Sequence, residues 1–124
     1  MTLARISLEG CTVIVEKSRR EGLTILTIEG IIKLGESAQF LAQTLDRALE
    51  NDEGHVILDL EKINYIDSTG IGELVGYLGR FQNRDRKLIL VKASDRILKL
   101  LEMSQLDRIF PIYNDLDAAV AAET

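Results

Sequence analysis

Residues 64–74 read Asn-Tyr-Ile-Asp-Ser-Thr-Gly-Ile-Gly-Glu-Leu and gather the side chains best placed to do chemistry. An acid, Asp67, precedes two hydroxyls, Ser68 and Thr69, and beyond Gly70 the apolar positions take up helical spacing. The strand His55–Leu60 ends just upstream, so Ser68 is expected at the carboxyl edge of a sheet, where a helix begins. Backbone N–H groups and the helix dipole favour negative charge at such a place. A serine there can accept a phosphate without disturbing the fold. Phosphate brings about −1.5 to −2 charges and three acceptor oxygens. The chemistry these residues predict is that of a switch, and no enzyme activity is expected.

Catalytic alternatives fit the spacing poorly. A nucleophilic serine needs a base within hydrogen-bond reach. The sole histidine, His55, opens the strand, and its residues at roughly 3.3 Å each set it on the order of 20 Å from Ser68. No G-x-S-x-G elbow is present, since Ser68 follows Tyr65-Ile66-Asp67. An aspartic-protease reading fails because Ser68 intrudes into the D-T-G pattern and no second copy exists. Gly70-x-Gly72-x-x-x-Gly76 faintly resembles a dinucleotide-binding turn, but the preceding strand stops at Leu60 instead of feeding the glycines. No His, Cys and carboxylate spacing suits a metal. No cofactor is expected.

Gly72, Gly76 and Gly79 fall on one helix face beside the apolar stripe, and each costs roughly 0.8–1 kcal/mol against alanine. Two readings stand. Either another element of the same domain packs closely there, or the face is flat so that another protein's backbone can approach, with Thr69, Glu73, Arg80 and Asn83 around it. The glycine row is turned about a quarter turn from the core stripe, which leans toward exposure. Ser68 and Thr69 also read as plain N-cap residues, although one hydroxyl would serve. Phosphate on Ser68 would repel a docked partner facing Asp67 and Glu73. A loss of about 3–4 kcal/mol weakens binding by several hundredfold.

The elements that must position these residues follow from patterning. Thr12–Lys17 and Leu23–Glu29 are β-branched runs joined by Ser18–Gly22 and read as a hairpin. Residues 1–10 are either an added strand or a loose arm. Helical spacing marks Gly35–Glu50 and Gly70–Asn83, a helix capped by Ser94, and a last helix over Asp115–Ala122. Val56-Ile57-Leu58 and Leu88–Val91 are short continuous apolar runs, as in parallel strands covered on both faces. A short strand is expected near Ile109–Ile112. The order β-β-α-β-α-β-α-β-α predicts one α/β domain over residues 11–124: a mixed, mostly parallel sheet with an antiparallel N-terminal hairpin, packed by about four helices.

Composition narrows the partners. The 124 residues carry a formal charge of −5 from 20 acids and 15 bases, which argues against nucleic acid or anionic membrane. The basic spots at Arg19-Arg20 and Arg84–Lys87 read as solvated turns. Aromatic content of 5% without tryptophan leaves no base-stacking platform. The lone Cys11 suits a reducing compartment and reads as a small core or edge residue. Neither a signal peptide nor a membrane-spanning run is evident, so a cytoplasmic protein is expected.

Val56–Leu60 followed by Ile63–Leu74 closely resembles the signature of STAS-domain anti-sigma factor antagonists, with D-S-[ST]-G-[ILV]-G as its specific part. The resemblance runs over roughly Val13–Ala121 and includes Ser94–Leu101 and Ile109–Tyr113. It implies a partner-switching protein. Unphosphorylated, such a protein binds an anti-sigma factor that is also a GHKL-type serine kinase, and so frees the sigma factor. Phosphorylation of the serine after the aspartate, here Ser68, ends binding, and a metal-dependent serine phosphatase resets it. ATP and Mg²⁺ belong to the kinase. With the glycine face read above, the candidate partner-binding residues are Lys33, Asp67, Thr69, Gly70, Gly72, Glu73, Gly76 and Arg80; a weak homodimer is compatible with this. Many members carry an acid shortly after the glycine closing the second strand, whereas Gly30–Gly35 holds none, and Lys33 stands there as a contact for partner or phosphate or as a solvated lysine. The alternative is a constitutive STAS scaffold, in a signalling assembly or a transport system, in which Ser68 only caps a helix.

Overall fold

Continuous apolar strands need cover on both faces, and the chain supplies it. The structure, a computed structural model, describes residues 2–8 and 11–124, with side chains for residues 13–124; the reading of the Cys11 side chain lies outside these. Strands β1 (Thr2–Leu8), β2 (Cys11–Arg20) and β3 (Leu23–Ile32) form an antiparallel ribbon. Then come α1 (Glu36–Asn51), β4 (Val56–Asp59), β5 (Ile63–Ile66), α2 (Ser68–Gln82) and β6 (Leu88–Val91). The chain continues through α3 (Asp95–Met103), a 3₁₀ turn (Leu106–Arg108), β7 (Ile112–Tyr113) and α4 (Leu116–Glu123). The sheet order is β1-β2-β3-β4-β6-β7, parallel from β3 onward. This is the mixed α/β architecture that the patterning predicts.

Three local differences have physical reasons. The β2–β3 connection is shorter than expected, because Ser18, Arg19 and Arg20 stay in the ladder opposite Ile25, Thr24 and Leu23. The turn is left to Glu21 and Gly22 at φ 50° and 81°, a positive-φ pair that suits the twist of a two-residue hairpin. Near the C-terminus the strand begins at Ile112 instead of Ile109, since the Ile109 N–H donates to the Leu106 carbonyl at 3.1 Å and closes the 3₁₀ turn. The third difference is β5, which no periodicity announces: of Ile63-Asn64-Tyr65-Ile66 only the two ends are buried.

Strand β5 exists because β3 is long enough to serve two neighbours. Thr24 to Thr27 pair with β4; then the register shifts between Gly30 and Ile31, and Gly30, Ile31 and Ile32 pair in parallel with Ile63, Tyr65 and Ile66. Gly30 sits at φ 130°, open to glycine and strained for other residues. The bulge turns the end of β3 away from β4 and leaves room for β5, which delivers the chain to Asp67.

Helices α1, α2 and α3 cover one face of the sheet. Leu58, Leu88 and Leu90 pack there with Leu45, Leu74 and Phe81, while the alternate residues Ile57, Ile89 and Val91 meet Ala119 and Val120 of α4 on the other face. Every residue of β6 is fully buried, as its continuous apolar run predicts. Among the described residues no helix is long and apolar enough to cross a membrane.

Candidate functional site

The start of α2 is built by Asp67. Its backbone is extended at φ −98°, and its side chain caps the helix: Oδ1 accepts the Gly70 N–H at 3.0 Å. The second oxygen, Oδ2, accepts the Leu34 N–H at 2.8 Å, and the Asp67 N–H donates to the Ile32 carbonyl at 3.1 Å. One carboxylate thus joins the β3–α1 loop to the first turn of α2. The Gly70 and Leu34 donors favour its charged form and hold its pKa below the ordinary 3.8, against a smaller opposing effect of burial.

This geometry corrects the plain-cap reading of Ser68 and Thr69. Asp67 is the N-cap, so α2 begins at Ser68, two residues before Gly70. The Ser68 side chain is exposed, and its hydroxyl has no hydrogen-bond partner among the described residues. Thr69 is half-buried.

Gly70, expected at a partner-facing surface, lies inside instead. A Cβ there would stand 2.6 Å from Ile66 Cγ1 and 2.8 Å from Ile32 Cγ2, so the residue lets α2 sit directly on β3 and β5. Asp67 likewise turns its carboxylate to its own backbone. Gly72, Gly76 and Gly79 are different: a Cβ on any of them would meet nothing within 4 Å. Close packing within the domain therefore does not explain them, and the outer face of α2 is flat and open.

Shallow grooves run along both sides of that face. One, toward α1, is lined by Leu34, Ala38, Gln39, Ala42, Thr69 and Glu73. The other, toward α3, is lined by Tyr65, Ser68, Ile71, Val75, Arg96 and Leu100. Farther along α2, exposed Arg80 lies over the Tyr77 ring at 4.6 Å, and the Tyr77 hydroxyl donates to Asp46 Oδ1 at 3.3 Å. The Lys33 side chain is exposed, while its backbone is held by Ser37, whose Oγ accepts the Lys33 N–H at 2.9 Å and donates back to the Lys33 carbonyl at 3.0 Å. Ser68, Thr69, Gly72, Glu73, Gly76 and Arg80 thus follow one helix, with Lys33 next to the loop that Asp67 tethers.

Sequence reasoning missed Leu34, Tyr65 and Arg96. Leu34 is 76% exposed and Tyr65 41%, both beside the start of α2. An apolar residue between Lys33 and Gly35, where no core stripe runs, was the available signal. His55 lies at the opposite edge of the sheet, before β4, where Nδ1 accepts the Lys87 N–H at 2.9 Å. Among the described residues no group of three His, Cys, Asp or Glu is placed to hold a metal ion.

The STAS domain family model matches residues 15–119. The chain belongs to the STAS domain family. An anti-sigma-B factor antagonist of Listeria monocytogenes is 36% identical over 88 residues, covering 68% of this STAS domain chain and 77% of the relative. Among solved structures, an anti-sigma factor antagonist from Mycobacterium paratuberculosis superposes with a TM-score of 0.78 at 20% identity, over 90% of this chain and 93% of that one. The Bacillus cell fate determinant SpoIIAA, solved in its phosphorylated form, superposes with a TM-score of 0.67 at 14% identity, over 87% and 98%. These two structures share the fold of this STAS domain.

Proposed function

We propose that this STAS domain is an anti-sigma factor antagonist that works by partner switching. In its unphosphorylated form it binds an anti-sigma factor that is also a GHKL-type serine kinase, and so releases the sigma factor. Phosphorylation of Ser68 ends that binding, and a serine phosphatase restores it. The observation that carries this reading is the position of Ser68: the first residue of α2, exposed, its hydroxyl unengaged, on the rim of an open glycine face. Asp67 does the capping, so Ser68 is free to change chemically while the helix start stays formed.

Physical chemistry supports the consequence. The positive end of α2 tolerates an added phosphate within the domain. A partner lying on Gly72 and Gly76 would meet a new dianion at the rim of its contact, unscreened by water once docked. The test is binding to, and phosphorylation by, a cognate GHKL-type serine kinase. Ser68→Ala is expected to bind like the native chain yet gain no phosphate. Ser68→Asp is expected to bind about a hundredfold or more weaker. Equal affinity of Ser68→Asp and the native chain refutes the mechanism. A stable complex in which ATP adds no phosphate points to the constitutive scaffold.

A further inference from the structure

Ser68 and Arg96 line one groove from its two walls, the first turn of α2 and the first turn of α3. Arg96 is exposed, and among the described residues no carboxylate pairs with it. Other arginines are engaged by partners: Arg20 by Asp117 at 3.0 Å, Arg84 by Glu50 at 2.7 Å, and Arg86 by three backbone carbonyls. Among the described residues Arg96 has only the Tyr65 ring, with its guanidinium carbon 5.8 Å from the centroid. That is near the outer limit of a cation–π contact, which contributes about 0.5–1 kcal/mol at an exposed site. A phosphate offers far more to a guanidinium: two parallel charge-assisted hydrogen bonds in a matching fork.

We propose that Arg96 is the receptor for a phosphate on Ser68. The guanidinium leaves the Tyr65 ring, binds the phosphoserine oxygens in a fork, and ties the start of α3 to the start of α2. This rests on the reading that Ser68 is phosphorylated and adds a second effect to it. The phosphate repels a partner, and it also closes the groove bounded by Tyr65, Ile71, Val75 and Leu100. The acids flanking Ser68 are turned elsewhere: Asp67 is held by the Gly70 and Leu34 N–H groups, and Glu73 lines the opposite groove. Lys33, the cation that the sequence singles out as a phosphate contact, is absent from the groove that contains Ser68.

The test uses the full chain with phosphoserine genetically encoded at position 68, so no kinase is needed. Phosphorus NMR follows the second ionisation of the phosphate, ordinarily near pKa ~6, against pH. A guanidinium beside the phosphate favours the dianion, so Arg96→Ala is expected to raise that pKa by about half a unit or more. Arg96→Lys is expected to raise it less, and Lys33→Ala to leave it in place. The Tyr65 ring resonances should shift on phosphorylation in the native chain, and shift less in Arg96→Ala, where no guanidinium leaves the ring. An unchanged titration in Arg96→Ala, or a shift caused by Lys33→Ala alone, overturns the proposal. If a cognate kinase leaves Ser68 unmodified, the partner-switching reading fails while the titration of the encoded phosphoserine still decides the role of Arg96.

Discussion

Replacing Asp67 by alanine removes both acceptors that organise the start of α2. The cap to the Gly70 N–H is partly buried, and losing such a cap costs about 0.5–2 kcal/mol. The bond to the Leu34 N–H is exposed, so water can replace it and only its net contribution of about 0.5–1.5 kcal/mol is lost. Asp67→Ala should therefore destabilise the domain by about 2 kcal/mol, which lowers the urea midpoint by about 1 M. Asp67→Asn keeps one carbonyl oxygen and turns an NH₂ toward the other N–H, so about half that loss is expected. Because folding depresses the Asp67 pKa below 3.8, its contribution is present above that pH and fades as pH falls through the folded value. Urea melts of native and Asp67→Asn chains should differ at neutral pH and converge in acid. Hydrogen exchange should show lost protection at the Leu34 and Gly70 amides in Asp67→Ala. An unchanged midpoint, or a native-to-variant gap that ignores pH, refutes the assignment of Asp67 as the tether.

The glycines of α2 should divide by position. Gly70→Ala forces a methyl against Ile66 and Ile32 and should cost about 1–3 kcal/mol, whereas Gly72→Ala and Gly76→Ala meet open space and should each stabilise by up to about 0.8–1 kcal/mol in thermal melts. The same two stabilised variants are expected to bind the kinase more weakly, measured by calorimetry; unimpaired binding would remove the glycine face from the interface. Leu74→Ala, at a fully buried position between sheet and helix, should cost about 2–5 kcal/mol in urea unfolding. On the far face, the Tyr113 hydroxyl donates to Glu123 Oε2 at 2.8 Å, and this bond raises the phenol pKa above 10.0. Glu123→Gln should lower that pKa in a phenolate absorbance titration.

The architecture was legible because most of its elements carry long or repeated signals. The helices repeat their apolar positions over two or more turns, and β4 and β6 are unbroken apolar runs flanked by polar loops. β5 stayed hidden because a strand of this length with only its two ends buried has no period to detect. It is specified by the length of β3 and the bulge at Gly30, which are tertiary facts. The same limit governs the site. Ser68 and the glycine face could be placed from helical geometry alone, since they lie on one element. That Asp67 reaches back to the Leu34 N–H, and that Arg96 meets Tyr65 from another helix, depends on how α1 and α3 are laid against the sheet. Gly70 was misplaced for a related reason. Its helical position is compatible with an outward or an inward aspect, and the close approach of Ile32 and Ile66 decides the matter.

The divided pairing of β3 gives its two halves different tasks. Its first half is locked between β2 and β4, deep in the sheet, and its last residues carry β5 alone on the β4 side. The stagger at Gly30 lets one strand hold two parallel neighbours in different registers, so β5 can be aimed at α2 without disturbing the pairing of β3 with β4. Ile32 and Ile66 at this end are buried against α2, so the same short ladder that carries the chain to Asp67 also anchors the helix start in the core.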